Sequence, residues 1–239
     1  MPALAKIILP MQVSVKKAAE VLGVDEDQIY RWIKQGEMPA VGVGEEWRVD
    51  RAELLEWATG RGMKVDPALF EGGSRGQGEL PTLLGALGSG GIVRGLGGDD
   101  QASVLRSVVD CLPLPEDVDR DYLYEIMLAR ENLGSTGIGD GIAIPHVRDP
   151  LVFQVPHPTV TLCFLERPVD FKAIDGKPVD TIFAIVSPTV RDHLHILSRL
   201  GYALRDESFR KTLQAGAGSE ELLGILASLE AGLAATRDA

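Results

Sequence analysis

Arg130-Glu131-Asn132-Leu133-Gly134-Ser135-Thr136-Gly137-Ile138-Gly139-Asp140-Gly141-Ile142-Ala143-Ile144-Pro145-His146 is the stretch on which the reading of this sequence turns. Four glycines alternate with small polar residues, and a short β-like run then delivers Pro145 and His146. Glycines at this density let backbone N–H groups approach an anion closely. Ser135 and Thr136 add hydroxyl donors. Pro145 fixes the chain direction just before His146 and removes one backbone donor there. The pattern predicts a cradle around an exposed imidazole. A lone histidine after a glycine-rich loop is, by itself, more often a turn residue than a nucleophile. The loop has no P-loop lysine and no GxGxxG order between strand and helix, so it is not a nucleotide fingerprint.

Outward from this stretch, composition divides the 239 residues into three parts. From Leu80 onward, apolar strand-like runs alternate with longer amphipathic runs, the pattern of an α/β domain. Residues 60–79 hold six glycines and read as a flexible linker. Residues 1–60 carry short helical patterns and all three tryptophans. The expected boundaries are a first domain over 1–59, the linker over 60–79, the α/β domain over 80–231 and a tail over 232–239.

The chain carries 24 Lys and Arg against 35 Asp and Glu, a net charge of −11. Such a balance argues against a protein that coats nucleic acid nonspecifically, but it does not exclude a small DNA-reading module. No apolar run approaches the roughly 18–20 residues that cross a bilayer, and Met1 to Pro10 lack the features of a signal peptide. A cytoplasmic protein without membrane insertion is expected. Cys111 and Cys163 form no CxxC spacing, and each lies among apolar residues, so both read as reduced core thiols.

Val15, Ala18, Ala19 and Leu22 share one helical stripe, with Ser14 as N-cap and Gly23 as stop. Asp25 and Gln28 form an apparent capping box, and Val24 and Ile29 occupy the positions of a hydrophobic staple. A second helix therefore starts near Glu26 after a very tight turn. Its buried face is Ile29, Trp32 and Ile33. Gln28, Arg31 and Gln35 face the other way with Lys34 beside them, and Gly36 and Pro39 end the helix. Val41 and Val43, then Trp47 and Val49, alternate around Gly44-Glu45-Glu46 as a small β-hairpin. Asp50 and Glu53 form another capping box, and a third helix follows with Leu54, Leu55 and Ala58 inside. This order is a winged helix-turn-helix plan, whose second helix would enter a major groove while the wing touches backbone.

Residues 12–58, with SVKKAAEVLGVDEDQIYRWIKQGEMPA and WRVDRAELLEWA, resemble the excisionase/MerR-type DNA-binding domains. That resemblance implies that Gln28, Arg31 and Lys34 face DNA and that Arg48 on the wing touches phosphate. Glu45 and Glu46 at the wing tip, and Gly42 where such wings often place a cation, depart from the pattern. A domain that keeps this fold but binds protein, or only dimerises, stays open.

The string REN-LGSTGIGDGIAIPH, with FKAIDGKPVDTIFAIVSP and HLHILSRL further on, resembles the fructose/mannitol-type enzyme IIA domains of the sugar phosphotransferase system, which include the nitrogen-regulatory IIA proteins. The resemblance runs from about Leu80 to Leu229. It implies an α/β fold with a central mixed sheet flanked by helices, and a phosphocarrier that needs no cofactor. His146 would take a phosphoryl group from the phosphohistidine of an HPr-like general phosphocarrier protein. Arg130 would neutralise phosphoryl oxygens, and His193 would hydrogen-bond the phosphoryl group or hold His146 in the right tautomer. Ser135 and Thr136 would help through their hydroxyls. The family usually has Gly directly after the active histidine; here Val147 follows, then Arg148, a second cation that could bind phosphate.

Metal binding is not expected. His193 and His195 point about 200° apart on a helix, so they cannot share one ion without unwinding. His195 is expected to pack on the helix or stay solvated, and His157 to lie in a surface loop. The function expected is a regulator, acting as a homodimer, in which the phosphorylation state of His146 is conveyed to DNA or a partner. The alternative is a soluble transport component that passes phosphate to a separate IIB protein and uses its N-terminal domain for assembly.

Overall fold

The computed structural model describes residues 12–43, 46–63, 65, 80–147 and 155–237. Ser14 accepts from the Lys17 amide at 3.2 Å and opens helix α1 (Val15–Leu22), which Gly23 closes at φ 66°. Helix α2 (Glu26–Lys34) follows after a tight turn. The expected Asp25–Gln28 capping box does not form. The Asp25 side chain makes no cap bond, because the Gln28 amide is already taken at 3.0 Å by the Asp25 main-chain oxygen. Ile29 and Ile33 are buried under α2, with Trp32 half-buried.

Strands β2 (Val41–Val43) and β3 (Glu46–Asp50) form the expected antiparallel hairpin. Its tip, with Glu45, lies outside the described residues. The sequence reading did not foresee β1 (Gln12–Ser14), which pairs with the other edge of β3 and widens the wing to three strands. Asp50 then caps helix α3 (Arg51–Gly60) by accepting from the Ala52 and Glu53 amides. Ala52, Leu54, Leu55, Trp57 and Ala58 are all buried and cover well over half of the circumference of this helix. An apolar surface that wide needs cover from more than the small N-terminal domain.

The second covering body is the C-terminal domain. Its elements are α4 (Leu83–Gly90), β4 (Ile92–Leu96), α5 (Gln101–Cys111), α6 (Arg120–Leu133), β5 (Gly137–Gly139), β6 (Ile142–Ala143), β7 (Thr159–Val169), β8 (Val179–Val186), α7 (Val190–Ala203), α8 (Glu207–Gln214) and α9 (Ser219–Arg237). The five strands form a mixed sheet in the order β4-β7-β8-β6-β5. β4 with β7 and β6 with β8 are parallel pairs; β7 with β8 and β5 with β6 are antiparallel. Alternate strand residues serve the two faces. Ile142, Ile144, Leu162, Phe183 and Ile185 join the core beneath α4 and α7, while Ala143, Cys163, Ile182 and Ala184 join the core beneath α5 and α6. Cys111 and Cys163 are free thiols whose sulfurs lie 3.9 Å apart.

The α7 side of this sheet and the N-terminal domain share one apolar core. α3 lies against α7 and β5. The approach is close: a Cβ on Gly60 would come within 2.9 Å of the Ile138 carbonyl oxygen, and one on Gly201 within 2.6 Å of Thr59 Oγ1. The first residues of the expected linker belong to this joint. Val65 is buried, and the Arg205 guanidinium donates to the Met63 carbonyl at 3.0 Å. Residues 64 and 66–79 lie outside the described residues. At the other end α9 runs on through the segment expected as a tail. Its Glu230 accepts from the Leu83 and Leu84 amides and so caps α4.

Gly90 marks the tightest seam in the domain. A Cβ there would sit 2.1 Å from the Val160 carbonyl oxygen, and backbone cannot rotate away as a side chain can. Gly90→Ala is expected to lower unfolding free energy by about 3 kcal/mol, the upper part of the range for overpacking, as read by urea denaturation.

Candidate functional site

Three elements carry polar side chains into one buried place beside α3. The last turn of α6 supplies Arg130, the chain leaving β6 supplies His146, and the first turn of α7 supplies His193. Main-chain bonding fixes the middle one. The Ile185 amide donates to the Pro145 carbonyl at 3.1 Å, so the chain past β6 stays alongside β8 and delivers His146 at a set height. The imidazole Nδ1 is 2.9 Å from the Ile144 carbonyl oxygen. A carbonyl only accepts, so Nδ1 carries the proton and Nε2 is the free position of the neutral ring. The His146 and His193 ring centroids are 5.0 Å apart.

The residue that completes the cluster comes from the N-terminal domain. Glu56, on α3, accepts from Arg130 Nη2 at 2.7 Å through Oε2. Its Oε1 stands 3.0 Å from His146 Nε2, a close ion-pair separation although its alignment falls short of a hydrogen bond. Arg130 also donates to the Gly134 carbonyl at 2.8 Å, which ties the guanidinium to the start of the glycine-rich loop. The imidazole expected to be exposed is instead 1% exposed, because α3 lies over it; Arg130 and Glu56 are buried with it.

Burial and charge act oppositely on Glu56. Burial pushes its carboxyl up, but His146 and Arg130 outweigh that and hold it below the ordinary carboxylate range. His193 has no such anion. Burial, reinforced by the neighbouring His146 and then by the Arg130 guanidinium, holds it well below the ordinary value of 6.5. It is therefore neutral, and its Nε2 has no hydrogen-bond partner among the described residues.

Ser135 and Thr136 are not brought to the imidazole as donors. The Ser135 hydroxyl donates to the Phe171 carbonyl and accepts from the Gly137 amide. Thr136 is buried, and its hydroxyl donates to Glu131 Oε2 at 2.6 Å. Glu131, which the sequence reading passed over, organises the loop: it also accepts from the Thr136 amide and from Gln101. Burial raises its carboxyl above the ordinary range. Arg148 lies outside the described residues. Val147 is buried in the α5–α6 core, which explains how a β-branched residue is held directly after the histidine. His195 is buried and His157 exposed.

On the N-terminal domain, Arg31 and Lys34 are exposed and Gln28 is half-exposed on α2, so docking leaves that face open. Arg48 on β3 is paired with Glu46 at 2.7 Å. Among the described residues no group of three His, Cys, Asp or Glu could hold a metal ion, and no helix is long and apolar enough to cross a membrane.

Residues 89–229, with His146, Arg130 and His193 among them, match the family described as "Phosphoenolpyruvate-dependent sugar phosphotransferase system, EIIA 2". The chain belongs to this enzyme IIA family. Residues 13–62 match a helix-turn-helix domain family. The nitrogen regulatory protein of Pseudomonas aeruginosa is 34% identical over 139 residues, covering 56% of this chain and 88% of that protein. That of Escherichia coli strain K12 is 40% identical over 121 residues, covering 50% and 71%. The crystal structure of nitrogen regulatory protein IIA-Ntr from Neisseria meningitidis aligns with a TM-score of 0.50 at 33% identity, over 56% of this chain and 92% of that one. These alignments take in about half of the chain. Within the IIA domain they cover, His146 is the residue that Glu56 of α3 approaches.

The neutral His193 of the IIA domain has a measurable consequence. The folded state refuses the proton that an unfolded chain accepts below about 6.5, so this residue's contribution to stability is complete above that pH and is lost as pH falls. The ring nitrogens of His193 are expected to show the neutral pattern in 1H–15N spectra at pH 6.5, where a free histidine is half protonated.

Proposed function

We propose that the chain is a regulatory phosphocarrier: His146 Nε2 accepts a phosphoryl group from the phosphohistidine of an HPr-like carrier protein, and the helix-turn-helix domain conveys that state to DNA. The observation that carries this reading is that His193, and through Glu56 also Arg130, meet a ring whose Nδ1 is tied to the Ile144 carbonyl. That tie leaves Nε2 as the nucleophile. Arg130 offers a planar guanidinium to phosphoryl oxygens, and a neutral His193 can donate one hydrogen bond through its single ring N–H. Catalysis in such a site is in-line positioning and charge stabilisation. Membership of the IIA family supports the donor class. The nitrogen regulatory relatives and the fused helix-turn-helix domain support a regulator over a transport component that feeds a IIB protein.

Incubation with phosphoenolpyruvate, enzyme I and the carrier is expected to label the chain with one phosphoryl group, acid-labile as a phosphoramidate. His146→Ala should abolish the label. Label that survives this change would place the acceptor elsewhere.

The open α2 face supports the DNA half of the reading. Arg31 is exposed, and its guanidinium donates weakly to the Asp27 carbonyl at 3.4 Å. With few cations on this domain, each phosphate or base contact carries a large share of affinity, and two copies are needed for a stable complex. Arg31→Ala is expected to weaken binding to a preferred duplex by about 1–3 kcal/mol, read by fluorescence anisotropy at low salt. A wild-type protein that shows no sequence preference would remove this half of the proposal.

A further inference from the structure

The N-terminal domain covers the one atom that the phosphocarrier reading needs. Glu56 Oε1 is 3.0 Å from His146 Nε2, its Oε2 is held by Arg130, and all three side chains are buried. We infer that Glu56 is an intramolecular plug: its carboxylate occupies the place of the phosphoryl group, bridging imidazole and guanidinium, so that the docked helix-turn-helix domain blocks phosphorylation and phosphorylation expels the domain. This rests on the phosphocarrier reading and adds its regulation.

Two physical effects make the docked ring inert. The first is steric. A carrier's phosphoryl group must approach Nε2 in line, and α3 stands there with the groove around it lined by Trp57, Gly60 and Ile138. The second is electrostatic. With Glu56 Oε1 at 3.0 Å from Nε2, a carboxylate stands where the incoming phosphoryl oxygens would have to come, and like charges repel. Undocking removes both obstacles. Nε2 then forms the new P–N bond with its lone pair while the donor's P–N bond breaks. The donor imidazole keeps those electrons, and His146 keeps its Nδ1 proton on Ile144.

The reverse coupling follows from charge. A phosphoryl group on Nε2 brings about 1.5–2 negative charges to the position of a carboxylate. The two anions cannot share Arg130 at that distance in a buried site. Whatever factor docking takes from phosphorylation, phosphorylation takes from docking. The joint is suited to release. Removing Glu56 from the site leaves Arg130 and His146 to be hydrated, so neither domain keeps an unpaired buried charge. Residues 64–81 connect the two bodies and can span up to about 3.4 Å each.

The joint also supplies a lock. An ideal Cβ on Gly201 lies 3.8 Å from Thr59 Cβ, the mean separation in disulfides. The full-length Thr59→Cys, Gly201→Cys variant, oxidised, is expected to label on His146 at least about tenfold more slowly than the same protein reduced. Neither position touches the imidazole or the guanidinium. In parallel, Glu56→Gln should label at least about tenfold faster than wild type, and the radius of gyration of wild type in solution scattering should rise on phosphorylation. Equal rates for oxidised and reduced protein overturn the plug, provided the cross-link is confirmed by mass. Equal rates for Glu56→Gln and wild type overturn it as well. If no form labels, including reduced and Glu56→Gln proteins, the phosphocarrier reading itself fails, a result distinct from either.

Discussion

A buried carboxylate between a buried guanidinium and a buried imidazole is the constraint on which the rest of this structure turns. Each of these groups would be expensive to hold alone away from water, and breaking such a set by removing one member typically costs about 3–5 kcal/mol. Glu56, Arg130 and His146 come from α3, α6 and the chain after β6, so their mutual pairing fixes how the two domains meet. The apolar contacts around them then have to be tight. Gly60 against Ile138 and Gly201 against Thr59 are the places where the absence of a side chain permits it. In this sense the joint is electrostatically specified and sterically finished.

Much of the architecture could be read from local chemistry. Ser14 and Gly23 delimit α1 and Asp50 opens α3, as their side chains and backbone preferences require. The glycine-rich string ending in Pro145 and His146 marked the site, because chain direction, hydroxyls and imidazole coincide there. Asp25 shows the limit of pattern reading. A main-chain oxygen reached the Gln28 amide first, and the side chain was left out. β1 was missed because three residues give too short an alternation to register. The exposed imidazole was misjudged for a different reason: its cover comes from another domain, and no local pattern around residue 146 carries that information.

Glu56 itself had a trace in the sequence. Ala52 and Trp57 flank the narrow side of α3 on which Glu53 and Glu56 lie, and Glu56 is buried there while Glu53 stays half-exposed. A charged residue in a helix of that kind implies an oppositely charged partner from a second body. Which partner cannot be read locally, because Arg130 lies far along the chain. Glu131 follows the same logic within one domain. Its neighbours Thr136 and Gln101 use it as an acceptor, and it shapes the loop that Arg130 also grips. Two adjacent acidic and basic residues at the end of α6 thus differ in reach: Glu131 bonds within the C-terminal domain, while Arg130 also pairs with Glu56 of α3.

The bond from His146 Nδ1 to the Ile144 carbonyl sets more than a tautomer. An imidazole can be modified at either nitrogen, giving two positional isomers with different chemical lifetimes. Here one nitrogen is spoken for by the backbone two residues upstream, so regiochemistry is decided by main chain rather than by any side chain that could be exchanged. Modification at the tele position is the one that leaves this hydrogen bond intact.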